Sequence, residues 1–256
     1  MKAGGRPPPP RLCIVVPVYN HGQTVQRIVR ESRRAFPVIV VDDGSTDPGA
    51  AMLARESGIT LVTLASNRGK AAALQAGFAK ADASGFTHAI TIDADGQHPT
   101  EALADFAAAC RQHPEALVIG VRDLKAAGAP FTRRLSNAMS TFWFKFETGA
   151  GLSDTQCGYR VYPLAVVRSL RVKSDRYAYE LEIMVKAAWV GIPLRAQPVQ
   201  ADYAAPTSRL SHFHPVRDFL RIVRVHARLS AQALCLSAFR RRLWAKAASV
   251  DSGPPP

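Results

Sequence analysis

No apolar run in this chain approaches the roughly 20 residues that a membrane-crossing helix needs, so any membrane contact is expected to be peripheral. The opening residues MKAGGRPPPPR lack the apolar centre of a secretory leader. Cysteine is scarce, with residues at 13, 110, 157 and 235 only. Their spacings match neither a zinc pattern nor a Cys-x-x-Cys motif, so they read as reduced thiols of a cytoplasmic protein. Two nucleotide-binding signatures are also missing. A dinucleotide fold needs a Gly-x-Gly-x-x-Gly turn after its first strand, and PVYNHG offers Gly22 alone. NRGKAAAL has a Gly-Lys pair without the earlier glycine or the following Ser/Thr of a P-loop. Hydride transfer and P-loop phosphoryl transfer are therefore disfavoured.

Acid is in deficit in one half only. The chain has 256 residues and a formal net charge of +13. Up to residue 130 there are 14 Lys+Arg against 12 Asp+Glu; from 131 onward there are 19 against 8. A basic second half points to anionic partners such as phosphorylated ligands, an anionic membrane face or nucleic acid.

Both ends are rich in Pro and Gly and are expected to be disordered, over 1–10 and 248–256. Between them short β-branched runs alternate with helical stretches. LCIVVPV, VIVVDDGS, ITLVTLA, THAITIDADG and ALVIGVR read as strands, and the segments between them as helices. Strands separated by helices of this length imply parallel β-α-β units with right-handed crossovers, so the first 120 or so residues predict an α/β nucleotide-binding layer. Further on, FTRRLSNAMSTFWFKFETG reads as a helix, DTQCGYRVYP as a loop entering a strand, YAYELEIMVKAAWVG as a helix, and IPLRAQPVQADY as a strand broken by Pro198. One long helix is expected from Pro215 to about Ala245. It places Arg217, Arg221, Arg224 and Arg228 on one stripe. The predicted organisation is a catalytic domain over 11–210 followed by a basic amphipathic extension over 211–247.

Ligands of such sheets sit beyond the carboxyl ends of the strands. Three strand ends here are polar: Pro17-Val18-Tyr19-Asn20-His21, Asp42-Asp43-Gly44-Ser45 and Asp93-Ala94-Asp95-Gly96-Gln97. Alternation along a strand points Asp93 and Asp95 the same way, and a turn at Gly96 brings Gln97 back toward them. Two carboxylates and an amide oxygen form a hard donor set suited to Mg²⁺ or Mn²⁺, with positions left open for substrate phosphates.

The ordered set VVPVYN, VVDDGSTD, NRGKAAALQAGF, TIDADGQHP and DTQCGYRVY resembles family 2 glycosyltransferases of the GT-A fold. It looks most like the branch of dolichyl-phosphate mannosyltransferases and polyprenyl-phosphate glycosyltransferases, over roughly residues 11 to 210. The resemblance implies a mostly parallel, Rossmann-like sheet flanked by helices. It implies that Pro17, Tyr19 and Asn20 line the nucleotide pocket, and that Asp42 and Asp43 contact base and ribose. Asp93, Asp95 and Gln97 match the metal and diphosphate site. Arg122 matches an arginine near the phosphates, and Arg209 stands in a pair that holds the donor diphosphate. Asp154 and Arg160 match an element facing the acceptor phosphate, and Glu180 and Glu182 an acidic helix near the acceptor. The chain departs from the pattern at His21, where the family usually has Glu, and at Tyr203, where many relatives have Arg.

The activity that this resemblance implies is an inverting hexosyl transfer from a nucleotide-diphosphate sugar, metal-assisted, to a polyprenyl phosphate at the cytosolic membrane face. An ionised phosphate acceptor needs cations and no base. A hydroxyl acceptor is the alternative within the class, and would recruit Asp154, Glu180 or Glu182 as general base. A non-catalytic scaffold and a nucleic-acid-binding protein are the rivals outside it. The acidic strand ends argue against nucleic acid, since Asp42, Asp43, Asp93 and Asp95 would repel a phosphate backbone. The arginine stripe of 217–228, with FRRRLW at 239–244, suits either a solvated face or a helix lying on anionic headgroups.

Overall fold

The computed structural model describes residues 8–176, 178–203 and 215–235. It is an α/β fold with one seven-stranded mixed sheet. The strands are β1 (Leu12–Val18), β2 (Val38–Asp42), β3 (Ile59–Thr63), β4 (His88–Thr91), β5 (Leu117–Val121), β6 (Arg160–Pro163) and β7 (Leu194–Pro198), in the spatial order β3-β2-β1-β4-β6-β5-β7. Parallel pairing joins β1 to β2 and β4, β2 to β3, and β5 to β7. β6 is antiparallel to both its neighbours, β4 and β5. The expected parallel layer is therefore interrupted: β5 does not pair with β4, because the later strand β6 inserts between them.

The helices are α1 (Gly22–Ser32), α2 (Gly49–Ala54), α3 (Lys70–Ala83), α4 (Leu103–Gln112), α5 (Phe131–Thr148), α6 (Leu164–Ser169), α7 (Ala178–Trp189) and α8 (Pro215–Cys235). α1 and α2 fill only part of the segments between the strands that read as helical, and α6 is an element the sequence pattern does not announce. Pro198 closes β7 rather than interrupting it, as its missing N–H requires. The helix expected from 215 to 245 is described to Cys235. The FRRRLW segment, the domain boundary at 210/211 and Arg209 lie outside the described residues.

Period-two alternation divides the core. Cys13 and Val15 of β1, with Ile39 and Val41 of β2, face the layer of α3, α5 and α7. Leu12, Ile14, Val16 and Val18, with Val38 and Val40, face the layer of α1 and α4. α3 lies close on the sheet because Gly77 carries no side chain; a Cβ there would collide with Val15 Cγ1. This seating brings the N-terminal end of α3 to the carboxyl ends of β1, β2 and β4, where the polar strand ends gather.

Candidate active site

A cavity of about 700 Å³ opens over those strand ends. Of the residues singled out from sequence, Pro17, Tyr19, Asp43, Asp93, Asp95, Gln97, Arg122, Arg160 and Glu180 line it. Asn20, Asp42, Asp154 and Glu182 are not among its lining residues.

The loops at its floor are built by side chains capping backbone. Asn20 adopts φ +55°, in the left-handed region that asparagine tolerates best after glycine. Its Oδ1 accepts the N–H of Thr46 at 2.8 Å and of Asp47 at 3.2 Å, tying the β1–α1 loop to the β2–α2 loop. Asp42 Oδ1 accepts the Ser45 N–H. Asp43 accepts the N–H groups of Arg68 at 2.8 Å and Gly69 at 2.7 Å, which fixes the turn into α3. Asn20 and Asp42 thus shape the pocket from behind, whereas Asp43 does so from its wall.

Lys70, the first residue of α3, is the residue that sequence reasoning passes over. Its Nζ lies 2.7 Å from Asp93 Oδ1 and 2.8 Å from Glu180 Oε2, joining the end of β4 to α7 across the cavity wall. Burial works against the ammonium, but the two carboxylates outweigh it and hold Lys70 above its ordinary range. Burial works against the Asp93 carboxylate, but the Lys70 ammonium beside it holds Asp93 below the usual carboxylate range. Asp95 shifts the other way: burial, and then the charge of Asp93, raise it. Its Oδ1 accepts the Gln97 N–H at 3.0 Å across the turn made by Gly96 at φ +74°. Asp95 is therefore the carboxylate of this pair that lacks a counter-ion strong enough to offset burial and its neighbour. Gly158 closes the other side. A Cβ there would collide with Asp93 Oδ2 and stand 2.7 Å from Lys70 Nζ.

Among the described residues no group of three or more His, Cys, Asp or Glu side chains is arranged to hold a metal ion. The donor set at this place is sparser, two carboxylates and the Gln97 side chain. It fits a hard divalent cation that draws its remaining ligands from bound phosphates, because two carboxylates that repel each other are relieved by a cation between them. His98, next in sequence, is buried; contact with Cys157 Sγ at 3.8 Å and the Gln200 carbonyl at 3.1 Å overrides that burial and raises it to about 9.

Arg122, also in the cavity lining, forms a two-pronged pair with Asp154, Nε to Oδ2 at 2.6 Å and Nη2 to Oδ1 at 3.1 Å. Asp154 is fully buried and also accepts the Gln156 N–H. Its two oxygens accept from Arg122 and from the Gln156 N–H, and so position the Arg122 guanidinium. Arg122 Nη1 donates to Tyr203 Oη at 2.8 Å, and Arg133 lies over the Tyr203 ring at 5.1 Å. The tyrosine that replaces the family's arginine thus braces two other arginines.

Arg160 is 1% exposed. It donates to the carbonyls of Cys157 at 2.7 Å, Glu180 at 2.7 Å and Thr155 at 3.0 Å. It clamps the β6 loop to α7, with every guanidinium nitrogen donating to the protein, while it also lines the cavity. Glu182 faces away from the cavity. Lys186 at 2.7 Å, the Lys173 and Ser174 N–H groups, the Ser174 hydroxyl and Arg228 of α8 all converge on it. Burial would raise its pKa, but these hydrogen bonds and charges pull it down to about 2. Glu182 thereby clamps α7 to α8.

The family model for glycosyl transferase family 2 matches residues 13–170. Polyprenol monophosphomannose synthase of Mycolicibacterium smegmatis is 27% identical over 206 residues, 75% of this chain and 77% of that protein. Undecaprenyl-phosphate 4-deoxy-4-formamido-L-arabinose transferase of Pseudomonas savastanoi pv. phaseolicola is 31% identical over 183 residues, 66% of this chain; the match spans about half of that relative, 52%. Among solved structures, S. aureus TarS 1-349 in complex with UDP superposes with a TM-score of 0.58 over 92% of this chain and 69% of that one. At 15% identity this is a likeness of fold alone. With the model covering more than half of the sequence, from β1 through α6, the chain belongs to glycosyl transferase family 2.

Proposed function

We propose that this chain transfers a hexose from a nucleotide-diphosphate sugar to a polyprenyl phosphate, with inversion at the anomeric carbon and with Mg²⁺ or Mn²⁺ bound. The observation that carries the reading is one cavity with Asp93 and Asp95 on one wall and Arg122, Arg133 and Arg176 among its other lining residues. Two relatives whose names specify a polyprenol or undecaprenyl-phosphate transferase support the acceptor class.

Asp95 and Asp93 would hold the cation, with Gln97 beside them. When bound it would neutralise charge developing on the departing diphosphate, a stabilisation of several kcal/mol. Arg122, pre-aimed by Asp154, adds fixed positive charge that needs no reorganisation during the reaction. Asp43 holds the β3–α3 turn that shapes the nucleotide end. In the transfer, the anomeric C–O bond to the diphosphate breaks as an acceptor oxygen bonds to the same carbon from the opposite face. The diphosphate takes the electron pair of the broken bond. A phosphate acceptor enters already ionised, so no proton has to be removed.

The placement of the acids favours that acceptor over a hydroxyl. Asp154 and Glu182 are both engaged in clamps. Glu180 is the carboxylate that keeps the hydroxyl reading in view, since it lines the cavity, but Lys70 engages one of its oxygens. The test is incubation with UDP- and GDP-hexoses, Mn²⁺ and either a polyprenyl phosphate or the corresponding polyprenol. The expected product is a phosphate-linked lipid sugar. Product from the polyprenol alone would overturn the phosphate assignment.

A further inference from the structure

Asn20 and Arg176 are the non-glycine residues with a left-handed φ among the described ones. Asparagine tolerates that region, and Asn20 is held in it by the N–H groups of Thr46 and Asp47. Arg176, at φ +47°, has neither advantage, since its Cβ crowds the following carbonyl there. Among the described residues its side chain has no hydrogen bond, ion pair or ring contact to offset that strain. Strain of this kind persists where the surroundings impose it, and it gathers at ligand sites.

The loop between α6 and α7 imposes it. Glu182 accepts the N–H groups of Lys173 at 3.2 Å and Ser174 at 2.8 Å, and Arg228 of α8 donates to Ser174 Oγ at 2.9 Å. The loop is thus pinned just before Arg176, and α7 begins just after it. Between these anchors Arg176 turns into the cavity, which it lines. Its side chain lies along Gly69: a Cβ at Gly69 would stand 2.7 Å from Arg176 Cγ and 3.5 Å from its Cζ and Nη1. Asp43 holds the N–H of that same glycine at 2.7 Å, so the guanidinium stands beside the β3–α3 turn, at the nucleotide end of the cavity. The other cations of the lining are engaged. Lys70 bridges Asp93 and Glu180, Arg122 pairs with Asp154, Arg160 donates to carbonyls, and Arg133 lies over the Tyr203 ring. An unengaged guanidinium in a concave site offers a planar fork of donors that matches phosphate oxygens.

We infer that Arg176 is a donor-binding residue: its guanidinium grips phosphate oxygens of the nucleoside diphosphate, and the left-handed backbone is what aims it there. The inference rests on the nucleotide-sugar reading and deepens it by one phosphate ligand. That ligand comes at no cost in broken ion pairs, unlike Lys70 or Arg122. As the anomeric C–O bond breaks, charge developing on the diphosphate meets a fork already in place. The phosphate of an acceptor offers the same chemistry, but the position beside Gly69 and Asp43 is on the donor's side of the cavity.

The test is calorimetric titration of UDP and GDP, with Mn²⁺, into the parent, Arg176→Asn and Arg176→Lys. Melting temperatures and steady-state kinetics with UDP- and GDP-hexoses and a polyprenyl phosphate accompany it. Arg176→Asn removes the guanidinium and leaves a residue at ease in the left-handed region. Its nucleotide affinity is expected to fall roughly tenfold or more, the scale of hydrogen bonds to a charged group. The donor KM should rise in parallel while the acceptor KM stays unchanged. Its melting temperature is expected to equal or exceed the parent's, a result that a purely structural arginine would not give. Arg176→Lys, which keeps the charge without the fork, is expected to fall between the two. Parent-like nucleotide binding by Arg176→Asn would overturn the inference and leave the nucleotide-sugar reading intact. A rise in the acceptor KM alone would also overturn it, by moving the guanidinium to the acceptor phosphate. Affinity lost together with a lowered melting temperature would make Arg176 a brace of the fold and overturn it as well. A parent that binds neither nucleotide would overturn the nucleotide-sugar reading itself, and the inference with it.

Discussion

Lys70 Nζ rests 2.7 Å from Asp93 Oδ1, so one of the two acids beyond β4 has a cation of its own, while among the described residues the other, Asp95, has no ion pair. The ammonium also spans to Glu180 at 2.8 Å, and thereby fastens α3, β4 and α7 at the cavity wall. Removing it leaves two carboxylates in a confined site. Lys70→Met is predicted to cost about 3 kcal/mol of stability in metal-free protein, the scale for breaking a buried pair from one side. Mn²⁺ should restore more of the melting temperature in the variant than it adds to the parent, because it no longer competes with the ammonium. Thermal unfolding with and without Mn²⁺ checks both statements. Equal metal responses in the two proteins would sink the idea.

Gly158 offers a milder probe of the same place. Gly158→Ala adds one methyl group against Asp93 Oδ2 and Lys70 Nζ. Transfer is expected to fall at least tenfold, on the order of 1.4 kcal/mol in barrier, with a much smaller loss of stability. Steady-state kinetics and a melting curve on one preparation separate the two effects.

Arg122 and Asp154 are both buried, at 8% and 0% exposure, so breaking their pair from one side should destabilise by about 3 kcal/mol. Asp154→Asn is expected to lose stability and activity together. Arg122→Gln combined with Asp154→Asn removes both charges, though the glutamine is shorter than the arginine, and is predicted to regain part of the stability but none of the transfer. Recovery of activity in the double variant would show that the guanidinium charge is dispensable.

The α7–α8 clamp makes a prediction in acid. The folded pKa of Glu182 is about 2 against an ordinary 4.5. Its contribution is present in full above the unfolded value and is lost as pH falls through the folded one. It amounts to about 3 kcal/mol. Melting temperature from about pH 6 to about pH 3 should therefore fall more steeply in the parent than in Glu182→Gln, which starts lower. Parallel curves would mean that the clamp carries no titrating charge.

Much of this architecture is legible in the residues. β1 to β5 announce themselves as β-branched runs, whereas Asp93 and Asp95 lie past the end of β4 in the turn that follows it, where strand alternation no longer sets their direction. The direction of β6 is not legible. RVYP carries no mark of its orientation, which is set by the space between β4 and β5 that it fills. Lys70 is hidden for a related reason. Gly69-Lys70 reads locally as a helix start, and its two partners lie 23 and 110 residues further on. Asp154 looks like a free acid in sequence because its cation, Arg122, lies 32 residues away just past β5, and the α8 partner of Glu182, Arg228, lies 46 residues on. The aromatics of α5 are visible along a helix; only burial shows that Phe131, Phe142, Trp143 and Phe146 face outward.

We propose that Asp93 and Asp95 meet a nucleotide-diphosphate donor through a divalent cation. Calorimetric titration of UDP and GDP, with and without Mn²⁺, into the parent and Asp95→Asn is the decisive measurement. The parent is expected to bind one of the two nucleotides only when Mn²⁺ is present, and Asp95→Asn to lose that binding. Binding of neither nucleotide by the parent, or equal binding by Asp95→Asn, would contradict the assignment.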